Sequence, residues 1–361
     1  MTFEDWRHGE VAVVGLGRSG TAVTRLLRAQ GARVYASDAS ATALDDTALA
    51  ALRAAGAEVE LGRHDLDRIR RASLVVVSPG VPSDAPPLRT AREAGVMVRS
   101  ELAIALSVLE GVPYVAVTGT NGKSTVTHIV GHLLSALGHD VAVAGNIGQA
   151  LSEVALRPPR PAWIALEVSS YQLRDTPDIA PTVGVLTNLA PDHLDRYETV
   201  EAYYADKRRL FDNATAASRW VVNADDAQAM VMVADVAGHT YRFSAEGRLA
   251  DAFYDRPHGA LILLDEPLMR RSDLPLHGDH NVANALAAAL AVSAASPAHG
   301  SLQARKQLAG ALRTVRPLPH RLETVGEIDG VLWIDDSKAT NVASARVGIA
   351  AMSRPTILLL G

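Results

Sequence analysis

A chain of 361 residues, 48% apolar and 21% charged, holds too much hydrophobic material for wholesale disorder and is long enough for two or three domains of ~100–200 residues each. A net charge of −5 disfavours a polyanion such as DNA as a partner, and the short basic runs 68–71 and 207–209 read as solvated helix faces. Cysteine is absent, which excludes disulfides, thiolate metal sites and cysteine nucleophiles together and suits a reducing compartment.

The polar stretch 1–10 has no signal-peptide core, and the most apolar segment, 283–295, is broken by Asn284 and Ser293. Both point to a soluble, cytoplasmic protein that engages no membrane. A β-branched run at 11–14 predicts a strand, then a glycine turn and a helix over 21–30. A second strand, 33–36, ends near Asp38, and another, 74–77, runs into Ser78-Pro79-Gly80. A helix over 101–109 leads to a boundary at Gly111-Val112-Pro113. Beyond it, a strand at 114–117 and a helix to Leu137 flank a second glycine-rich loop. Further strands are predicted at 141–144, 163–167, 183–187 and 220–223, with a surface loop at 157–161 and hairpin material over 254–264. A long alanine-rich helix starts at Asn281, and Arg316-Pro317-Leu318-Pro319 marks a second boundary. After it come a strand pair at 322–328 and 331–334, a polar turn, a helix, and an apolar run at 356–360 with the character of a buried parallel strand. The alternation makes the fold class α/β: a Rossmann-like domain over 1–110, a central P-loop-type α/β domain over 111–317, and the start of a third, Rossmann-like domain over 318–361.

Gly15-x-Gly17-x-x-Gly20 after a strand, with Asp38 at the end of the next, matches a dinucleotide fingerprint. Three readings fit it: a nicotinamide oxidoreductase, a glycine turn without a ligand, or a cradle for another diphosphate such as a UDP-sugar. The stretch Thr118-Gly119-Thr120-Asn121-Gly122-Lys123-Ser124-Thr125 is more specific, because it lies between a strand and a helix as a phosphate loop does. It is a shortened variant, with Val117 where the full pattern has its first glycine. Lys123 suits phosphate oxygens and Ser124 a Mg²⁺ ion, while Glu167 and His193, both at strand ends, are candidate partners for that metal. Of 35 basic residues only Lys123, Lys207, Lys306 and Lys338 are lysine. A chain that otherwise uses arginine has a reason to keep a compact amine, and Lys306, in a polar stretch, is the exception.

The segments 119–125, Gly145-Asn146-Ile147-Gly148, 167–173, 188–197 and 279–284 occur in the order found in the Mur ligases, the ATP-dependent enzymes of peptidoglycan stem-peptide synthesis. Across essentially its whole length the chain resembles that family. Pro319-His320-Arg321 and the run from Asp335 to Asn341 are similar to its D-glutamate-adding branch; alanine- and diaminopimelate-adding members show Asp-Tyr-Ala-His there. The resemblance implies that Gly17, Arg18, Ser19, Asp38, Ser78, Pro79 and Gly80 contact UDP, and that Asn146 and Ser169 meet the alanyl end of the sugar-nucleotide substrate. It implies that Gly119, Thr120, Asn121, Gly122, Lys123, Ser124 and Thr125 hold ATP phosphates, with Asn281 and Asn284 at adenine and His320 and Arg321 at the nucleotide. Asp336 would meet ribose, and Lys338 and Thr340 phosphate or the incoming amino acid. Two Mg²⁺ ions would be held by Ser124, Glu167, His193 and a CO₂-carbamylated Lys207. Ala39-Ser40 stands where the family often shows a longer side chain, so a further uracil-side contact is not carried over to this chain from the resemblance.

The activity so implied is ADP-forming ligation of D-glutamate to UDP-N-acetylmuramoyl-L-alanine through an acyl phosphate, by a monomer that binds no nucleic acid. The alternatives are a sister ligase, either another Mur enzyme or a folylpolyglutamate synthase type, and an NAD-dependent oxidoreductase resting on Gly15–Gly20 alone. The 43 residues from Pro319 onward are short for a domain and end on an uncovered apolar strand, which leads to the expectation of a truncated chain with weak ligation.

Overall fold

The computed structural model describes residues 9–340, 342–352 and 354–359; the first eight residues of the polar N-terminal stretch and Leu360 fall outside this set. Two compact units emerge. The described residues up to Val112, with 144–161 and 169–179, form the first; 113–143, 162–168 and the described residues from Ala180 onward form the second.

The first unit is built on β1 (Glu10–Val14), α1 (Arg18–Ala29), β2 (Arg33–Asp38), α2 (Asp46–Ala54), β3 (Glu58–Leu61), α3 (Leu66–Arg71), β4 (Leu74–Val77), α4 (Pro86–Glu93), β5 (Val98–Ser100) and α5 (Glu101–Val108). Its sheet has the order β3-β2-β1-β4-β5, all parallel. β1 and β4 are buried from end to end after Glu10, as continuous apolar strands in a parallel sheet must be. Val14 pairs with Ser37 on one side and Val77 on the other, so the C-terminal ends of β1, β2 and β4 share one edge. That edge is where the strand order reverses, the place where doubly wound sheets bind ligands. α1 begins at Arg18, three residues before the predicted start. Gly17 caps it in extended conformation, and the Thr21 N–H already donates to the Gly17 carbonyl at 2.9 Å. Arg68 is not simply solvated: it is paired with Glu10 and Glu58 and lies 4.3 Å over the Tyr35 ring.

The second unit follows with β6 (Tyr114–Thr118), α6 (Lys123–Ala136) and β7 (Val141–Gly145), whose last two residues belong, with α7 (Leu151–Ala155), to the first unit. Next come β8 (Trp163–Glu167), α8 (Ser170–Arg174, again of the first unit), β9 (Val183–Leu186), α9 (Val200–Arg208), β10 (Arg219–Asn223), α10 (Ala227–Met232) and β11 (His239–Ser244). The predicted hairpin is β12 (Ala252–Asp255) with β13 (Ala260–Leu263), extended by β14 (Glu266–Arg270). The sheet runs β14-β13-β12-β11-β10-β9-β6-β8-β7, parallel from β12 to β8.

α6 and α11 (Asp279–Ala295) contribute much of the core over this sheet. α11 is buried on nearly every side, which its alanines permit by keeping the helix slim. Past the C-terminal end of α6, His139 Nε2 lies 2.9 Å from His299 Nε2, and Trp163 stacks on both rings at 6.1 and 5.6 Å. α12 (Leu302–Leu312) carries Lys306 on its exposed side. The chain then forms β15 (Glu323–Ile328) antiparallel to β16 (Val331–Asp335), and α13 (Val342–Ala350). The predicted strand at 356–360 is not formed over 356–359: those residues are exposed and belong to no strand. An apolar run becomes a strand only when a neighbour supplies ladder hydrogen bonds, and the described residues supply none here.

Candidate active site

β6 leads into the loop 118–122, and α6 starts directly from it. Gly119 has φ +141° and Gly122 φ +81°, both in the region that favours glycine. Neither has room for a side chain. An added Cβ would lie 2.0 Å from Thr187 Oγ1 at Gly119 and 2.5 Å from Asn284 Oδ1 at Gly122. The loop is latched to the segment following β9. Thr120 N–H donates to the Asn188 carbonyl and Asn121 N–H to Asn188 Oδ1, both at 2.9 Å. Thr187 Oγ1 and Asn188 Nδ2 donate to the Asn121 carbonyl at 2.6 and 2.9 Å. Thr120 Oγ1 donates to the Ala190 carbonyl and accepts from the Ala190 N–H, each at 3.0 Å.

Lys123 folds back over the loop, its Nζ donating to the carbonyls of Gly119 at 3.0 Å and Thr120 at 2.7 Å. Burial lowers its pKa below the ordinary lysine value, with Glu167 and Asp192 opposing that fall. Lys207 arrives from α9. It is 1% exposed, donates to the Gly119 carbonyl at 2.6 Å and sits 4.5 Å over the Tyr203 ring. Burial first and Lys123 second hold its pKa well below the ordinary value, against Asp192 and Glu167. So the basic run 207–209 is not one solvated face: α9 turns Lys207 inward, while Arg208 points out to Asp235 at 3.0 Å.

Glu167 closes β8 with its side chain buried, and Ser124, also buried, stands in the first turn of α6 beside a half-buried Thr125. His193 follows β9 with φ +55°; its ring is 5.8 Å from that of Tyr203, and its N–H donates to Asp192 Oδ1 at 2.9 Å. The acids Glu167 and Asp192 therefore face both lysines, and Tyr203 joins His193 to Lys207.

The first turns of α11 bring Asn281 and Asn284 together, Asn284 Nδ2 donating to Asn281 Oδ1 at 3.1 Å, with Asn284 against Gly122. Asn281 and Arg321 line a cavity of about 340 Å³ with Leu276, Pro317 and Glu323. Arg321 also reaches the phosphate loop, Nη2 donating to Ser124 Oγ at 3.3 Å. His320 turns elsewhere: its ring meets Asp335 Oδ2 at 2.7 Å and its N–H donates to Glu323 Oε2 at 2.7 Å. Asp336 Oδ1 accepts from the Leu322 N–H at 3.2 Å. Lys338 and Thr340 are exposed, with backbone N–H groups donating to the His320 and Lys338 carbonyls at 3.1 and 3.0 Å.

In the first unit the glycine turn is equally constrained. An added Cβ at Gly20 would lie 1.8 Å from the Gly15 carbonyl oxygen, whereas at Gly17 it would meet nothing within 4 Å. Ser78 Oγ donates to the Gly15 carbonyl at 2.8 Å. The two oxygens of Asp38 accept from the N–H groups of Leu16 at 2.7 Å and Ser40 at 2.9 Å. This carboxylate shapes the turn, and its remaining lone pairs are what a ribose could use. Arg18 donates to the Gly148 carbonyl at 2.8 Å; Ser19 is half-buried, and Gly17 and Gly80 are exposed around the same edge, with Pro79 between Ser78 and Gly80. Asn146 is exposed in the loop after β7, and Ser169 caps α8 in a reciprocal box with Gln172.

Sequence reasoning missed Thr187 and Tyr203. Tyr203 had a signal, lying four residues before Lys207 and so on the same helix face. Thr187 had only its position as the polar end of an apolar strand.

The chain matches two family models, "Mur ligase middle domain" over residues 117–292 and "Mur ligase MurD-like, N-terminal domain" over 9–100. It is 39% identical to the UDP-N-acetylmuramoylalanine–D-glutamate ligase of Myxococcus xanthus over 98% of this chain and 78% of that protein. The enzyme of the same name from Pelotomaculum thermopropionicum is also 39% identical, over 99% and 78%. Among solved structures, UDP-N-acetylmuramate-alanine ligase from Thermotoga maritima superposes with a TM-score of 0.58 at 21% identity, covering 95% of this chain and 77% of that one. At that identity the likeness speaks for the fold alone.

Proposed function

The chain belongs to the Mur ligase family, and from that membership we propose an ATP-dependent, ADP-forming ligase that joins D-glutamate to UDP-N-acetylmuramoyl-L-alanine. The observation that carries the chemistry is the convergence of Lys123 and Lys207 on the Gly119 carbonyl, beside Ser124 and with Glu167 and Asp192 facing both amines. Two cations on a backbone cradle too tight for any Cβ suit a polyphosphate.

The residues also fit Mg²⁺. Ser124 and Glu167 offer hard oxygen donors and His193 an imidazole, and the ion so held would neutralise phosphate charge. Lys123 adds a fixed positive charge, and the buried walls keep water away. In the first step the alanyl carboxylate oxygen attacks the γ-phosphorus of ATP; the bond to the β-bridging oxygen breaks, and ADP leaves. The amine of D-glutamate then attacks the acyl carbon, losing a proton as phosphate departs, and an amide remains. Asn146 and Ser169 are assigned to the alanyl end, the Gly15–Gly20 turn with Asp38 and Ser78 to UDP, and Asn281 with Arg321 to the nucleotide. Lys338 and Thr340 are assigned to phosphate or the incoming amino acid. The reading is of a monomer in the cytoplasm, with UDP binding in 1–110, ATP binding in 111–317 and amino-acid binding from 318 onward.

Lys207 is proposed to act as its carbamate. A neutral amine adds to the carbon of CO₂, a proton leaves, and the product is an anionic oxygen ligand suited to Mg²⁺. Burial and the adjacent Lys123 favour the neutral amine this requires. Thermal shifts test the whole reading. Mg-ATP and UDP-N-acetylmuramoyl-L-alanine should each stabilise the protein and NAD should not; stabilisation by NAD alone overturns it.

A further inference from the structure

Glu101, the first residue of α5, is a carboxylate with no part in the chemistry above, yet it is 2% exposed. Its Oε1 accepts from the backbone N–H of Ser152 at 2.5 Å, in the first turn of α7. α7 follows the loop that carries Asn146; Gly145 has φ +104° and Gly148 φ +67°, and the Gly145 N–H closes the base of the loop by donating to the Gln149 carbonyl at 3.0 Å. That bond ties the loop to itself, and contacts from outside it set how the closed loop sits on the rest of the unit. Two other ties run from α1: Arg18 to the Gly148 carbonyl at 2.8 Å, and Arg25 to Glu153 at 3.7 Å. Both are solvent-exposed and weak. The Glu101 bond is buried, where losing the acceptor leaves the Ser152 N–H unsatisfied.

We propose that Glu101 is a positioning residue: through Ser152 it fixes the Gly145–Gly148 loop, and so the side chain of Asn146, against the turn that holds the UDP moiety. The proposal rests on the reading in which Asn146 meets the alanyl end of the substrate. It explains why a carboxylate is retained where an apolar residue would pack at lower cost. Glutamine can replace it, since the amide oxygen also accepts from Ser152. Leucine cannot, and aspartate, one methylene shorter, falls out of reach.

The test compares Glu101→Leu, Glu101→Asp and Glu101→Gln with wild type, by calorimetric binding of UDP-N-acetylmuramoyl-L-alanine and of ATP and by hydrogen exchange over 145–152. Leucine and aspartate should weaken the UDP-substrate about tenfold, the loss expected when a buried N–H is left without its acceptor. They should also speed exchange at Ser152 and leave ATP affinity unchanged; glutamine should stay near wild type. The aspartate variant keeps the test alive if leucine prevents folding. Unchanged exchange at 145–152 overturns the anchor whatever the ligand. Equal losses for ATP and the UDP-substrate overturn it in favour of a general structural role. Wild type that does not bind the UDP-substrate overturns the functional reading, and the positioning role with it; wild-type binding matched by the leucine variant overturns the positioning role alone.

Discussion

Lys123 and Lys207, from two different helices, donate to one carbonyl oxygen, that of Gly119, at 3.0 and 2.6 Å. Two ammonium groups so close repel each other, and a buried pair relieves the strain when one amine sheds its proton. Burial lowers the pKa of both, and that of the more deeply enclosed Lys207 falls well below the ordinary value. In the proposed reading the two lysines take different roles: Lys123 meets phosphate as its ammonium, and Lys207 adds to CO₂ as its neutral amine.

Lys207→Arg preserves charge but cannot form a carbamate, because guanidinium stays protonated. It should fold, by circular dichroism, and lose Mg²⁺-dependent phosphate release. Lys207→Ala should lose the same activity and regain part of it with added acetate or formate, which can occupy the carbamate's place. Undiminished phosphate release in Lys207→Arg would reduce Lys207 to a packing residue.

Gly119→Ala and Gly122→Ala should each cost about 1–3 kcal/mol of stability, since both combine a left-handed backbone with a Cβ contact of 2.0 and 2.5 Å. They should also abolish ATP binding measured by calorimetry. Gly138→Ala is the control: its φ is +89°, yet the new Cβ meets nothing within 4 Å. It should carry only the backbone cost, about 1–2 kcal/mol, with ATP affinity intact.

The first glycine turn separates folding from binding. Gly20→Ala would press a Cβ against the Gly15 carbonyl at 1.8 Å and should lower the melting temperature markedly. Gly17→Ala has open space and should melt like wild type, while the methyl group keeps a pyrophosphate from the N-terminus of α1. A Gly17→Ala protein that binds the UDP-substrate as wild type does would argue against the assignment of this turn to UDP.

Burial pushes the Glu101 carboxyl up to about 7, with Glu153 adding to the rise and Arg18 and Ser152 opposing it. The folded protein thus binds this proton more tightly than the unfolded chain, where the group titrates near its ordinary 4.5. The stabilisation is complete below that lower value and is lost as pH rises to about 7, about 3 kcal/mol in all. Urea unfolding at about pH 5 and about pH 8 should show wild type losing this much relative to Glu101→Gln, which cannot titrate. A pH-independent difference between the two proteins would contradict the origin given for the shift.

The central strands were legible because both of their faces are covered, so the sequence has to be apolar without interruption. The stretch 163–167 is read and observed with the same bounds. β3, Glu58–Leu61, escaped because it is a half-exposed edge strand with glutamate at alternate positions, and β5 because three residues carry no period. In the site, Lys207 was legible through the chain's preference for arginine. The latch of Thr187 and Asn188 onto Asn121 was not: it joins residues 66 and 67 positions apart, and only the pairing of β6 with β9 brings them together. Glu101 carries no signal within the predicted helix 101–109, because its burial depends on where α7 lands.

The stack of His139, Trp163 and His299 gives the second unit an optical signal of its own. Protonated imidazole quenches excited indole by accepting an electron, and neutral imidazole does so far less. Burial keeps His299 neutral to lower pH than an exposed histidine. Emission from Trp163 should therefore dim on acidification as His299 takes up its proton, and His299→Gln should weaken the dimming. Trp220, stacked on Phe211 at 4.8 Å, and the exposed Trp333 also emit, so Trp163→Phe supplies the background to subtract. Fluorescence then follows the state of the strand that carries Glu167 without any added label.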